Sequence, residues 1–112
     1  MELEPREKIA IETLKKIIQK EFPDAFFIVF GSKVRGTSDV FSDIDILIVI
    51  NDVIETSIEE KIFGIGYEIG LKYDVVFNLI IEQKDFLYSK KAQEMPLYKN
   101  ITKEGIRVWI RK

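Results

Sequence analysis

A chain of 112 residues, with 46% apolar and 32% charged side chains, can build one core and is too apolar to remain disordered. It has no cysteine and no histidine, which excludes disulfides, thiol nucleophiles, zinc fingers and histidine general bases together. Its 17 basic and 19 acidic residues leave a net charge of -2, without the basic excess of a dedicated nucleic-acid binder.

Residues 5–21 read as an amphipathic helix. Ala10, Leu14, Ile17 and Ile18 follow the i, i+4, i+7, i+8 pattern, and Pro5 suits a first helical turn. Phe22-Pro23-Asp24 breaks it. The run AFFIVF, Ala25 to Phe30, predicts a buried strand that Gly31 ends. Residues 31–42, rich in Gly, Ser, Thr and Asp, predict a loop with one short helical turn. Asp43 to Ile50 is the second strand, closed by Asn51-Asp52. Residues 57–70 predict a helix with Ile58, Ile62, Ile65 and Ile69 on one stripe. Tyr73 to Ile81, YDVVFNLII, reads as the third strand. A short helix over 83–91, a turn at Pro96, a helical stretch to Lys103 and an apolar end, Ile106 to Ile110, complete the chain. The order predicts an α/β (α+β) domain spanning 1–112, with a small mixed sheet of three to four strands packed against helices.

No apolar run approaches the ~20 residues of a membrane span. The N-terminal stretch MELEPREK lacks the apolar segment of a signal peptide, so a cytoplasmic protein is expected. Polar catalysis would then rest on carboxylates, Lys, Arg, hydroxyls or a bound ion. Carboxylate oxygens suit hard cations, magnesium or manganese above all.

The stretch GSKVRGTSDVFSDIDILIVI, Gly31 to Ile50, carries that chemistry. On a strand, residues i and i+2 share a face, so Asp43 and Asp45 project side by side, roughly 6.6 Å apart at Cα. Ile44, Ile46, Ile48 and Ile50 face the other way, into the core. Leu47 and Val49 share the aspartate face and call for a covering helix. Two close carboxylates repel unless something positive binds, and a pair of divalent cations resolves the conflict. A third carboxylate is then expected on a neighbouring strand, and Asp74, at the opening of the third strand, is the candidate. Gly31 and Ser32 offer backbone N–H groups and a hydroxyl to a phosphate. Lys33 and Arg35 add positive charge, with Arg35 capable of a bidentate phosphate contact. The bland alternatives are turn capping by Asp43 and Asp45, pairing of Asp74 with Lys72, and an Arg35 that braces the loop by pairing with an aspartate.

Gly31-Ser32, ten intervening residues, then Asp43-x-Asp45 resembles the signature of the DNA polymerase beta-type nucleotidyltransferase superfamily. The fuller string GSKVRG…SDIDILIV, with the tail MPLYKNITKEGIRVW, is similar to its smallest members, the minimal nucleotidyltransferases. The resemblance implies the nucleotidyltransferase fold and transfer of a nucleoside monophosphate, AMP from ATP, with release of pyrophosphate. It maps Gly31 and Ser32 to phosphate holding, Asp43 and Asp45 to Mg2+ (or Mn2+), and Asp74 to the third carboxylate. Several small members resemble antitoxins paired with a helical HEPN-type toxin, thought to be neutralised by AMP transfer to a tyrosine. That implies a protein acceptor bound across subunits, in a homo- or hetero-oligomer, with neither membrane nor strong nucleic-acid binding. The length leaves little room for a separate acceptor domain. Two alternatives stand beside it: a non-catalytic module that masks its partner by contact, and transfer to a small-molecule acceptor.

Overall fold

The computed structural model describes residues 3–37 and 43–108. The first helix, α1 (Pro5–Glu21), takes the predicted bounds. Its buried stripe is Ala10, Ile11, Leu14 and Ile18, whereas Ile17 is 37% exposed. Ile11 thus takes the place expected of Ile17. The strand β1 (Phe26–Phe30) leads through Gly31 into a single helical turn, α2 (Ser32–Arg35), and then to β2 (Ile44–Ile50). The helix α3 (Thr56–Tyr73) returns the chain to β3 (Phe77–Gln83). Two short turns follow, α4 (Lys84–Leu87) and α5 (Lys90–Gln93), where one helix over 83–91 was expected. The helix α6 (Pro96–Glu104) and the two-residue strand β4 (Ile106–Arg107) come last. The expected continuation of this strand to Ile110, Trp109 included, and residues 38–42 of the expected loop lie outside the described residues.

The four strands form one mixed sheet in the order β3-β2-β1-β4. β1 runs antiparallel to both β2 and β4, while β2 and β3 are parallel and joined by α3 as the crossover. The two faces of β2 are both buried, as its unbroken apolar run requires. Ile44, Ile46, Ile48 and Ile50 pack with Phe27 and Val29 under α1 and α3, against Leu14, Ile18, Ile62 and Ile69. Leu47 and Val49 face the opposite layer, where Leu87, Ala92, Tyr98 and Ile101 cover them. These residues belong to α4, α5 and α6, so the covering layer is built by three short helices.

The third strand begins four residues later than expected. α3 runs on to Tyr73 and stops at Asp74, whose left-handed backbone (φ 56°) forms the cap. The N–H groups of Asp74 and Val75 both donate to the Gly70 carbonyl. Gly70 looks like a helix terminator in the sequence, but its role is clearance. A Cβ there would stand 2.6 Å from the Val75 carbonyl oxygen as the chain turns back. Glycine is the usual residue at such a cap, so an aspartate in that role gave no stop signal.

Two side chains tie the outer layers to the sheet. The buried Lys15 of α1 donates to the Val108 carbonyl at 2.5 Å, holding the chain just beyond β4. Burial pushes its pKa down, with Arg107 adding to the effect. On the other face Tyr98 donates to Glu82 Oε2 at 2.6 Å and meets Phe86 edge-on. Burial pushes the Tyr98 phenol up to about 12, and the hydrogen bond and charge of Glu82 add to it. The folded state therefore holds this proton more tightly than the unfolded chain, whose tyrosine titrates near ~10. The resulting stabilisation is complete below pH ~10 and disappears as pH rises towards 12. Tyr98→Phe is expected to cost about 1–3 kcal/mol at neutral pH. The gap between variant and wild type should narrow above pH ~10, and urea denaturation on either side of that pH measures both effects.

Candidate active site

The hairpin of β1 and β2 brings the two ends of the motif together. Phe30, the last residue of β1, stands opposite Asp45, so the carboxylate of Asp45 arrives beside Gly31. A Cβ on Gly31 would lie 2.2 Å from Asp45 Oδ2. The backbone at Gly31 (φ 76°, ψ -151°) is also one that side chains disfavour. The contact and the conformation therefore both require glycine. Gly31→Ala should lower stability by about 2–4 kcal/mol, the combined cost of backbone strain and overpacking. It should also displace the Asp45 carboxylate. Chemical denaturation reads the first effect and a nucleotide-transfer assay the second.

Asp43 immediately precedes β2 and is exposed; Asp45, two residues on, is half-buried. Ile44 is fully buried on the α1–α3 side, which sends Asp45, the next residue of the strand, to the opposite face. Asp45 Oδ1 accepts a 2.8 Å hydrogen bond from Asn78 Nδ2, its register partner on β3. Ser32 opens α2 and is half-buried. The backbone N–H groups of Val34 and Arg35 donate back to the Gly31 carbonyl and fix the turn.

A cleft of about 260 Å³ opens beside Asp45, lined by Phe30, Gly31, Arg35, Asp45, Leu97, Asn100, Ile101 and Glu104. Four of these residues lie on α6 and form its far wall. Sequence reasoning missed that wall. The signal available was the 97, 100, 101, 104 spacing, which is one helical face. Arg35 reaches the same cleft, and its Nη1 lies 3.9 Å from Glu104 Oε2. Both side chains are half exposed, so this pair adds little to stability. The partner of Arg35 is a glutamate of α6, where pairing with an aspartate was the bland alternative.

Two expected members are not brought to this cleft. Lys33 is only 3% exposed, and its ammonium sits 2.8 Å from Glu7 Oε2 in the interior. It pins α2 to α1 and does not point towards a phosphate. Asp74 caps α3 instead of opening β3. It lines a separate groove of about 430 Å³ with Phe63, Tyr67, Leu71 and Val76. Among the described residues no three acidic side chains converge on one point. The pair Asp43 and Asp45 still fits a divalent cation. Magnesium is commonly bound by one or two carboxylates together with substrate phosphates, without a complete protein cage.

The mixed sheet thus holds the Asp45 carboxylate against the Gly31-Ser32 turn at the rim of a cleft. The chain belongs to the nucleotidyltransferase domain family, whose model matches residues 11–107. It is 36% identical over 76 residues to the Methanocaldococcus jannaschii protein called "Putative protein adenylyltransferase MJ0141", covering 66% of this chain and 77% of that one. A solved structure described as "the toxin-antitoxin with AMP-PNP" superposes with a TM-score of 0.62 at 18% identity, covering 90% of this chain and 73% of the other. At that identity the likeness concerns the fold. The small α/β architecture with a mixed sheet is thus that of nucleotidyltransferases, and nucleotidyl transfer is the activity of the family. No helix among the described residues is long and apolar enough to cross a membrane.

Proposed function

We propose that the chain transfers AMP from ATP to a hydroxyl of a partner protein, a tyrosine of a HEPN-type toxin, and so serves as its antitoxin. The observation that carries the chemistry is the Asp45 carboxylate seated against Gly31 at the cleft, with Asp43 exposed two residues before it. The adenylyltransferase name of the archaeal relative supports the nucleotide, and the shared fold with a solved toxin-antitoxin structure supports the kind of partner. Asp43 and Asp45 would hold Mg2+ together with the phosphates. When bound, the ion neutralises charge on the phosphoryl oxygens and the leaving pyrophosphate. Gly31 and Ser32 line the triphosphate side and Arg35 pairs with a phosphate oxygen, releasing Glu104. The acceptor oxygen attacks the α-phosphorus in line as the bond to the pyrophosphate oxygen breaks, and the hydroxyl proton passes to solvent. Lys33 and Asp74 carry no step in this scheme.

The test is incubation with α-labelled nucleoside triphosphates and the product of the neighbouring reading frame. Label from ATP on a tyrosine of that protein is the expected result; no label from any triphosphate on any acceptor overturns it. A second reading, masking of the partner by contact alone, draws on one observation, the failure of Asp74 to join the aspartate pair. It requires neutralisation without label.

A further inference from the structure

At the level of Asp45, the neighbouring parallel strand carries an amide. The register sets Asp45 beside Asn78, with Ile44 beside Phe77 and Ile46 beside Leu79. A third carboxylate would have to stand at this point to share a metal with the pair on β2, because period-two alternation sends Phe77 and Leu79 to the opposite face. The Asn78 amide instead donates to Asp45 Oδ1 at 2.8 Å. Only the NH2 end of the amide can meet a carboxylate in this way. The other oxygen, Oδ2, occupies the space that a Cβ on Gly31 would take. Asp45 is therefore held by a donor on β3 and lies against the turn after β1.

We propose that Asn78 is a positioning residue that makes divalent-ion binding depend on the nucleotide. It orients Asp45, and it withholds the third negative charge that would let the protein capture a cation by itself. Two carboxylates and a neutral amide form a weak cation site until triphosphate oxygens complete the shell. This inference rests on the nucleotidyl-transfer reading. Asn78 is exposed, so substitutions there should fold.

Mn2+ binding followed by electron paramagnetic resonance tests it, with Mn2+ alone and with the α,β-methylene analogue of ATP. The wild type should bind Mn2+ at least ~10-fold more weakly alone than with the analogue. Asn78→Asp should raise affinity for Mn2+ alone by about 10-fold or more, since ligand charge count sets the affinity of oxygen sites. Asn78→Ala should leave that affinity weak and loosen Mn2+ in the presence of the analogue by about 10-fold, as loss of an orienting partner does. Thermal melts should show both variants folded, with Asn78→Asp melting somewhat lower because it sets a like charge beside Asp45. Unchanged Mn2+ binding by both variants, beside a wild type that binds Mn2+ with the analogue, overturns this inference alone. Tight binding of Mn2+ alone by the wild type does the same. A wild type that binds neither Mn2+ nor the analogue overturns the transfer reading as well.

Discussion

Replacing Asp43 and Asp45 together by asparagine is expected to abolish nucleotide transfer, by on the order of 10³-fold or more, and to leave the fold intact. Loss of a single preorganised electrostatic contact commonly costs about 10²–10³-fold, and this variant removes the Asp45 carboxylate that lines the cleft together with that of Asp43, two residues before it. Stability should hold or rise slightly. Asp43 is exposed and Asp45 half-buried, and their neutralisation relieves repulsion between neighbouring like charges. An asparagine at 45 can still accept from Asn78 through its carbonyl oxygen. Label transfer beside thermal melts checks both halves. Normal labelling by the double variant would remove the aspartates from the mechanism. If the variant also neutralises its partner at full strength, the protein works by contact.

The second large effect lies away from the cleft. Glu7 is buried at the start of α1, and each of its oxygens has a partner. Oε1 accepts the Glu4 backbone N–H at 2.8 Å, and Oε2 faces the Lys33 ammonium at 2.8 Å. Glu7→Ala should cost about 3–5 kcal/mol, because it removes a buried carboxylate from beside a buried ammonium and an acceptor from the helix start. For a chain of this length that is a fall in Tm on the order of 15 °C or more. Glu7→Gln, which keeps one oxygen that can still accept from one of the two donors, should cost less. The double variant Glu7→Leu with Lys33→Met should recover much of the loss, since an apolar pair of similar volume often replaces a buried ion pair without penalty. A Glu7→Ala variant within about 1 kcal/mol of wild type in urea would mean that the pair contributes little. Because Lys33 follows Gly31-Ser32 directly, this pair also sets where the turn sits relative to α1.

The elements with strong local periodicity could be read from the residues alone. The bounds of α1, the isoleucine stripe of α3 and the alternation along β2 matched. So did the aiming of Asp45 away from the isoleucine face, because a period of two is a property of the strand itself. The Gly31-Ser32 spacing to Asp43 and Asp45 was equally local, and it carried the family. The third strand misled for a local reason too: Tyr-Asp-Val-Val is as apolar as a strand, and an aspartate capped the helix where a glycine signal was missing.

What remained depended on neighbours distant in the sequence. Nothing near Lys33 shows that Glu7, far earlier in the chain, waits in the interior to receive it. A lysine beside a phosphate turn and a lysine pinned under a helix are written in the same residues. Asn78 has no local mark either. Its place beside Asp45 exists only once β2 and β3 pair in one register. The wall of α6 is likewise completed by packing across the sheet. The sequence by itself determined that the Asp45 carboxylate leaves the isoleucine face of its strand, because strand geometry is set within a few residues. Only the tertiary structure decided that Lys33 and Asp74 stand elsewhere and that an amide holds the neighbouring position. Those placements depend on contacts between segments whose order along the chain says nothing of their distance in space.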